Sequence, residues 1–304
     1  MNPPLLKSKV KKYLLLKFDS PWLNRKLLVG LAILVTFLLF GLLGRFFWNT
    51  DLVFIGSSPL NLPPAGFENL RGQAGVGAHP LGTESAGRDM LALMIVGAPN
   101  TLFVGIIASV IGIAIGIVLG FSAGFIGGRV DAVIRVTSDV MITIPPLMVL
   151  VVFQTSIGEI GIVMMGVLLS TFMWQSPTRL IRSQVLTMRE EGYVRMARLS
   201  GATTSDIMFK ELLPNLMPYL FGSFIAILTT AIVTAVGLEV LGLGPQRVPT
   251  LGRAIYEAIA SAALLKNMWW WWGIPTALLA TMFIGLLMIN LGLDEVSNPR
   301  LRKM

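Results

Sequence analysis

Histidine, cysteine and clustered carboxylates are the side chains that most often hold a metal or act as nucleophiles, and this sequence offers few of them. It contains no cysteine and a single histidine, His79. A histidine metal cluster and a thiolate site are therefore excluded. No Gly-Lys dipeptide occurs, so the chain also lacks the glycine-rich loop that cradles nucleotide phosphates. The sequence predicts a protein that is not an enzyme and holds no cofactor of its own.

Charge is concentrated instead in one internal segment, EEGYVRMARLSGATTSDIMFKELLP, at 190–214. Its apolar residues recur at helical spacing, Gly201 predicts a helix stop, and Thr203 followed by Asp206 predicts the cap of a second short helix. Two interpretations remain open from this pattern alone. The segment is either a basic amphipathic hairpin on anionic lipid, or a helix that docks into a groove of a soluble partner.

The elements that flank this segment belong to a membrane protein. Of 304 residues, 54% are hydrophobic and only 13% are charged, which one soluble core cannot accommodate. A helix needs about 20 apolar residues to cross the bilayer. Six windows lack any charged side chain over about that length: Leu27–Gly44, Met90–Gly128, Val140–Gly158, Ile160–Thr178, Leu212–Leu238 and Asn267–Leu293. The sequence predicts an all-α protein with six transmembrane helices.

The positive-inside rule sets the orientation of these helices. Lys and Arg residues gather in the segments 7–26, 129–135, 179–210 and 300–303, which hold eighteen of the 24 basic residues. Placing all four segments in the cytoplasm needs an even number of crossings and puts both termini there. The formal net charge of +8 then follows from topology, so no nucleic-acid partner is predicted. The first apolar run has no cleavage site after it, so the chain is expected to be a multi-pass protein with a retained first span.

The window Met90–Gly128 is long enough for two spans, and Pro99 with Asn100 is expected to break it. We therefore predict a short surface helix over Met90–Gly97 and a single span from about Asn100 to Gly124. The chain is therefore predicted to divide into five regions. These are a basic arm at 1–26, a first span at 27–48, an extracytoplasmic loop with a short helix at 49–99, a five-helix core at 100–295 that includes a cytoplasmic loop at 179–213, and a cytoplasmic tail at 296–304.

Few polar side chains fall within or beside the spans. Gln154, Asn215 and Glu239 are the candidates for lining a solute pathway. Arg135 and Asp139, spaced i,i+4, are expected to pair with each other. Pro145-Pro146 predicts a kink in the third span.

Three features beyond the spans or at the head of one have structural interpretations. His79 is expected to pack or hydrogen-bond within an extracellular turn. Arg88 and Asp89 predict a local salt bridge and a helix start. The run Trp269–Trp272 predicts an aromatic anchor at the membrane interface.

Several motifs together resemble one protein family. The stretch from Gly201 to the Leu-Leu-Pro at 212–214 is similar to the cytoplasmic "EAA" loop of permease subunits in bacterial ABC importers. HPLGTESAGRDMLALMIVGAPNTL (79–102), GFIGGRVDAVIRVTSDVMITIPPL (124–147) and the tail NLGLDEVSNPRLRKM resemble the dipeptide/oligopeptide permease subunits of the second ("C") type. The matches run from about Arg25 to Arg302. One departure is clear, since Arg195-Met196-Ala197 stands where the family usually has Glu-Ala-Ala.

The resemblance implies a type I ABC importer permease fold, a location in the cytoplasmic (inner) membrane of a prokaryote, and a set of partners. A homologous second permease subunit completes the pathway, two ABC ATPase subunits bind ATP and Mg, and an extracytoplasmic binding protein delivers the solute. The 191–213 loop then couples the chain to the ATPase. The coupling residues implied are Glu191, Arg195, Met196, Ala197, Gly201, Ala202, Leu213 and Pro214, with Glu190 or Glu191 in place of the missing acidic residue.

The resemblance implies peptides as the solute, while oligosaccharides, nickel chelates and other small solutes remain alternatives within the same importer type. A different class, a secondary carrier without an ATPase, usually needs a relay of ionisable groups inside the membrane. No such relay is evident in the sequence, and a membrane-bound enzyme lacks a candidate active site.

Overall fold

The computed structural model describes residues 24–297 and is built from α-helices connected by short turns. The exception is one long connection at 48–89, which we call the outer segment. The predicted basic arm up to residue 23 and the predicted tail from residue 298 lie outside the described residues. The helices are α1 Arg25–Phe47, α2 Met90–Phe121, α3 Gly128–Thr143, α4 Pro146–Ile157, α5 Ile162–Ser170, α6 Gln175–Met188, α7 Gly192–Leu199, α8 Thr204–Asp206, α9 Leu213–Val240, α10 Leu251–Ala260 and α11 Trp269–Ser297. π-helical turns at Ser122–Ile126 and Ile207–Leu212 extend α2 and precede α9.

Four helices of the described chain are long and apolar enough to cross a membrane, namely α1, α2, α9 and α11. Helices α3 and α4 form a fifth crossing if they are counted as one bent pair, with 79° between them. The bend falls at Ile144 and Pro145, so the kink predicted from Pro145-Pro146 is confirmed. The window Ile160–Thr178 is not one continuous helix, because the turn at 171–174 separates α5 from α6.

The predicted break at Pro99 is wrong, because α2 runs without interruption from Met90 to Phe121. Pro99 removes one backbone donor, and proline of this kind is tolerated within membrane helices. Its ring lies against Gly41 of α1, where no side chain intervenes. Asn100 donates to the Pro249 carbonyl at 2.9 Å, and the Thr101 hydroxyl donates to the Gly97 carbonyl at 3.0 Å. The short surface helix expected at Met90–Gly97 is simply the first part of α2.

A glycine stripe on α2 allows α6 to approach closely. A Cβ placed on Gly116 would lie 2.8 Å from the ring of Pro177, and one on Gly120 would lie 2.8 Å from the Cβ of Ile181. Gly124 stands equally close to Val185. Small residues at every fourth position are a recurring way for membrane helices to pack, because apolar burial alone does not drive their association in lipid.

The ends of the first and last helices lie side by side. Lys26 pairs with Glu295 at 2.7 Å, and the Asn24 side chain donates to the Gly292 carbonyl at 2.7 Å. The N-terminal end of α1 and the C-terminal end of α11 are therefore on the same face of the bundle.

The four tryptophans at the start of α11 divide into two pairs. Trp270 and Trp271 are 1% exposed and belong to the core, while Trp269 and Trp272 are 40% and 38% exposed. Trp270 Nε1 donates to the Thr83 carbonyl at 3.1 Å, which attaches the outer segment to the bundle. The predicted role of an aromatic anchor at the membrane interface is therefore open only to Trp269 and Trp272. The other two are structural, because an α-helix turns successive side chains to different faces.

The outer segment between α1 and α2 is held by buried polar contacts. Asp89 caps α2 by accepting from the Ala92 N–H at 2.7 Å, and it also contacts His79 Nδ1 at 2.8 Å and Trp48 Nε1 at 2.9 Å. The predicted helix start at Asp89 and the predicted role of His79 in a turn are confirmed.

The predicted local pairing of Arg88 with Asp89 is wrong. Arg88 Nε lies 2.5 Å from Glu84, and the same guanidinium also pairs with Glu257 of α10. Asp89 is already satisfied as a cap, whereas Arg88 links the outer segment to α10.

The charged residues of α3 pair with α6 rather than with each other. Arg182 forms a bidentate salt bridge with Asp131, and its Nη2 lies 2.7 Å from Oδ2. Arg179 lies 3.6 Å from Asp139. The predicted pairing of Arg135 with Asp139 is therefore wrong, because α6 supplies the nearer cation.

Candidate coupling loop and translocation cleft

The loop between α6 and α9 is a folded hairpin at 191–213, and α7 is its first helix. We call this segment the coupling hairpin, after the role implied for it by the family resemblance. Val194 is its one buried residue and packs against a cluster that includes Ile181, Ile207 and Leu212. Glu191 has extended backbone at the N-cap but forms no side-chain cap. The cluster joins α7 to the end of α6 and to the start of α9, so the three helices share one apolar core.

The backbone conformation of Gly201 ends α7. Gly201 has φ +82°, a conformation that side-chain-bearing residues rarely adopt. Its N–H donates to the Arg198 carbonyl at 3.0 Å, and the Ala202 N–H donates to the Ala197 carbonyl at 3.0 Å. This pair of bonds is a Schellman motif, and Ala197 and Ala202 both pack against the apolar cluster. The helix stop predicted at Gly201 is confirmed.

The second part of the hairpin begins with the predicted capping box. The Asp206 N–H donates to the Thr203 hydroxyl at 3.2 Å, and the Thr203 N–H donates to the Asp206 carboxylate at 3.3 Å. Lys210 lies 2.5 Å from Asp206 one turn later. Lys210 and the Thr203 donors lower the pKa of Asp206 to about 2. The Asp206 carboxylate of the capping box therefore stays ionised throughout the physiological pH range.

A π-helical turn connects this cap to α9. The Leu213 N–H donates to the Met208 carbonyl, five residues back, and Pro214 occupies the first turn of α9. Proline is tolerated there because its missing N–H is not needed for an intrahelical bond. The second part of the hairpin therefore continues directly into the membrane helix α9.

The outward face of the hairpin is apolar and uncovered. Met196 is 64% exposed, Leu199 83% and Phe209 66%. Arg195 lies beside them and is also largely exposed. A rigid helix that offers large apolar side chains together with a cation suits insertion into a groove of another protein.

The charged residues around α7 are arranged with Glu190 at the centre. Glu190 lies 3.2 Å from Arg189 and 3.7 Å from Arg195. Arg189 also donates to the Gly124 carbonyl at 2.9 Å, and Arg198 stacks over the Phe125 ring. These contacts attach the hairpin to the end of α2. Of the two acidic candidates named from the sequence, Glu190 is the one whose carboxylate pairs with the Arg195 guanidinium.

A second feature, a cleft of about 440 Å³, opens between the α5–α6 region and α9. Its wall is mainly apolar, but it carries three hydroxyls, from Ser176, Ser223 and Thr230. The Ser223 hydroxyl is buried and has no hydrogen-bond partner among the described residues. Gly222 leaves an open gap in the wall, because a Cβ there would meet nothing within 4 Å.

The three pathway candidates from the sequence do not come together. Asn215, near the start of α9, is exposed and donates to the Glu211 carbonyl at 2.7 Å. Glu239 lies at the opposite end of α9, about 36 Å away by helical rise. Gln154 is buried in α4. None of the three lines the cleft, and their assignment to a pathway stays a prediction.

Glu239 occupies a particular position at the outer end of α9. It is 1% exposed, and its carboxylate stands against Gly252 at the first turn of α10, where a Cβ would collide with Oε2. Neither carboxylate oxygen forms a well-aligned hydrogen bond within residues 24–297. The start of a helix attracts negative charge through its free N–H groups. Glu239 therefore positions α10 against α9.

Comparison with known proteins assigns this arrangement. Residues 116–303 match the family model described as "Binding-protein-dependent transport system inner membrane component". The chain belongs to this family. The matched range begins within α2 and includes the coupling hairpin, the cleft and α11. The protein is therefore a multi-pass inner membrane permease component, and the resemblance drawn from its motifs is confirmed.

Individual relatives of this permease cover most of its length. It is 30% identical over 224 residues to the "Oligopeptide transport system permease protein OppC" of Lactococcus lactis subsp. lactis, covering 73% of this chain and 76% of that protein. It is 28% identical to the Bacillus subtilis protein of the same name, covering 95% and 89%. The "Dipeptide transport system permease protein DppC" of Bacillus subtilis is also 28% identical, with 92% and 83% covered.

A solved structure shares the fold of the permease. A chain of the MetNI methionine ABC transporter in inward-facing conformations superposes with a TM-score of 0.53 at 21% identity. The match covers 69% of this chain and 97% of that chain. The fold is therefore that of an ABC importer permease.

Sequence reasoning missed the residues of the cleft. Ser176, Ser223 and Thr230 are single hydroxyls in apolar helices, and such residues usually bond to their own backbone, as Thr230 does with the Ala226 carbonyl at 3.0 Å. Only the packing of α6 against α9 brings them to one surface. The exposed Phe209 was equally inconspicuous, because a helical apolar pattern does not say which side chains remain uncovered.

Proposed function

We propose that this chain is the permease subunit of an ATP-driven importer of di- and oligopeptides, forms one half of the translocation pathway, and is driven through the hairpin at 191–213. The observation that carries the proposal is the rigid attachment of α7. Its outward face is free for a partner, while its buried Val194 shares a core with Ile181 of α6 and Leu216 of α9. The same two helices form the cleft.

The proposed topology has six crossings with both termini in the cytoplasm. The contact of Lys26 with Glu295 supports an even number, because it brings the two ends of the described chain to one face. The four long helices and the bent pair α3–α4 make only five crossings. The turn-separated pair α5–α6 therefore supplies the sixth, although neither member is long enough alone.

The proposed partners follow from the two ends of the bundle. On the cytoplasmic side, two ABC ATPase subunits hold ATP and Mg, and one of them receives α7. On the outer side, a substrate-binding protein delivers the solute, as the family description indicates. A homologous second permease subunit faces the cleft between α6 and α9 and completes the pathway.

The mechanism is a lever. When its ATPase subunit moves, α7 is displaced as a unit, because the Schellman motif at Gly201 and the capping box at Thr203 fix both parts of the hairpin. The π-helical turn before Leu213 passes the displacement to α9. α6 follows because Ile181 and Val185 share the apolar cluster. The cleft walls then shift relative to the second subunit and change the side to which the pathway opens.

Peptides are the proposed solute because similar proteins are named oligopeptide and dipeptide permeases. The cleft is compatible with this class. Its wall carries hydroxyls but no charged residue, so it can pass side chains of varied character without trapping any of them. Selectivity then belongs to the binding protein, which meets the solute first.

The test is uptake of a labelled tripeptide by cells that express the chain with its neighbouring transport genes. The account predicts uptake that needs the chain and also needs an intact ATPase, so that a Walker-lysine substitution in the ATPase abolishes it. Uptake that persists without ATP hydrolysis and follows an ion gradient would establish a secondary carrier instead. ATP-dependent uptake of an oligosaccharide or a nickel chelate, with none of peptides, would replace the proposed solute.

A further inference from the structure

A polar pocket separate from the cleft lies between α3 and α6. Its volume is about 260 Å³, and it is lined by three arginines, Arg135, Arg179 and Arg182. Three hydroxyl residues, Ser138, Thr178 and Ser183, and the carboxylate of Asp139 complete the polar part of the wall. Ser138 is fully buried, and its hydroxyl has no hydrogen-bond partner among residues 24–297. Neither the coupling hairpin nor the cleft uses this pocket.

The pocket carries an excess of positive charge. Asp131 engages Arg182 with both carboxylate oxygens, which neutralises that pair. Asp139 lies 3.6 Å from Arg179, and both side chains are about half exposed. Arg135 is exposed and has no carboxylate within ion-pair distance in the described part of the chain. One guanidinium is therefore uncompensated, and a second is only loosely paired.

In the proposed topology, helix contacts put this pocket at the cytoplasmic edge of the bilayer. Gly41 of α1 touches Pro99 of α2, and the charged start of α1 at Lys26 lies about 22 Å further towards the cytoplasm. The same distance along α2 ends near residue 114, and Gly116 touches Pro177 and Thr178 of α6. Thr178 and Arg179 therefore lie where hydrocarbon gives way to lipid headgroups.

We propose that this pocket binds the phosphate group of an anionic phospholipid of the cytoplasmic leaflet. A guanidinium group binds phosphate through two parallel N–H donors, which contact two phosphate oxygens at once. Basic pockets between membrane helices at this level are suited to anionic headgroups. Arg135 and Arg179 receive the phosphate, and Arg182 stays bonded to Asp131 and forms the wall.

The surroundings of Arg135 favour a lipid over free phosphate. Towards the middle of the membrane, α3 continues with the exposed apolar residues Val136, Val140 and Ile142. An acyl chain attached to a phosphate in the pocket lies along these side chains, whereas inorganic phosphate leaves them unused. The lipid then bridges α3 and the first half of α6.

The experiment is native mass spectrometry of the tagged full-length chain, purified in detergent with the subunits that accompany it. Dioleoylphosphatidylglycerol is added, and retention is compared for the unchanged chain and for Arg135→Gln, Arg179→Gln and Arg129→Gln. Arg129 is the matched control, since it is an exposed arginine of the same helix but does not line the pocket. We expect each pocket variant to retain the lipid roughly fivefold less, and the control to match the unchanged chain.

Two results would overturn the proposal. The first is equal retention by Arg135→Gln and Arg129→Gln in samples whose thermal unfolding shows intact protein. The second comes from a parallel titration with inorganic phosphate: if phosphate binding depends on Arg135 while phosphatidylglycerol retention does not, the pocket serves a free oxyanion. Neither result depends on whether the chain transports peptides.

Discussion

The Ala202 N–H donates to the Ala197 carbonyl at 3.0 Å, and this bond exists only because Gly201 between them has φ +82°. Space is not the constraint at Gly201, since a Cβ there would meet nothing within 4 Å. The constraint is the backbone conformation itself. The end of α7, and with it the angle between the two parts of the hairpin, depends on one residue without a side chain.

Gly201→Val is therefore predicted to abolish peptide uptake while the protein still inserts in the membrane. A β-branched residue in this conformation is disfavoured by about 1–2 kcal/mol or more, which is enough to unwind the end of a short helix. The measurement is uptake normalised to the amount of protein in the membrane. Gly192→Val is the control, because Gly192 also faces open space but lacks a positive φ. Normal uptake by the Gly201 variant would contradict the lever.

The contact of Arg182 with Asp131 is predicted to join α3 to α6 as a matched pair. Arg182→Ala leaves a half-buried carboxylate without its cation and should lower the free energy of unfolding by about 2 kcal/mol. The combined exchange Arg182→Asp with Asp131→Arg should recover a substantial part of that loss. Thermal unfolding in detergent measures both. An exchange variant no more stable than the single one would show that geometry, not charge, holds the pair.

Arg88→Met is predicted to make the outer segment sensitive to pH. Burial raises the pKa of Glu84 above 4.5, and Arg88 opposes this effect. A carboxyl group whose pKa is raised by folding destabilises the folded state as the pH climbs and it ionises. Without Arg88, Glu84 and Glu257 lose their common cation, so stability should fall more steeply between about pH 5 and pH 8.

Proteolysis of the segment between α1 and α2 reports this effect. Cleavage of Arg88→Met should accelerate as the pH rises over that range, while the unchanged protein stays resistant. Arg71→Met removes an exposed cation from the same segment and serves as the control. Parallel pH profiles for the two variants would mean that Arg88 acts by packing alone.

Gly120→Ala is predicted to separate α2 from α6. The added methyl group would lie 2.8 Å from the Ile181 Cβ, and overpacking of this kind costs about 1–3 kcal/mol. Gly273→Ala in α11 makes the same chemical change where the new Cβ meets its nearest atom at 3.9 Å. It should leave stability unchanged or slightly raised. Thermal unfolding of the two variants compares them directly, and equal midpoints would refute the close packing.

The features that the sequence predicts well are local ones. The stop at Gly201, the capping box at Thr203 and the cap at Asp89 each depend on a few neighbouring residues with a defined geometry. The apolar windows likewise reveal the long helices, because hydrocarbon requires about 20 uncharged residues whatever the fold. These features needed no knowledge of which helices touch.

The wrong predictions concern contacts between distant segments. Pro99 does not break α2, because Gly41 of a separate helix makes room for its ring. Asp139 pairs with Arg179 of α6 rather than with Arg135 on its own helix. The cleft hydroxyls such as Ser223 are brought to one surface only by helix packing. Tertiary contacts decided each of these cases, and a single sequence carries no direct signal for them.

The most direct test of the account is whether the outward face of α7 holds the ATPase. The measurement is the amount of ATPase subunit that co-purifies with tagged Leu199→Ser, compared with Leu265→Ser. These two leucines are matched in exposure, 83% and 84%, and lie at opposite ends of the protein. We predict that Leu199→Ser lowers the recovered ATPase roughly tenfold while Leu265→Ser has no effect. Equal recovery from both variants would contradict the assignment of α7 as the coupling helix.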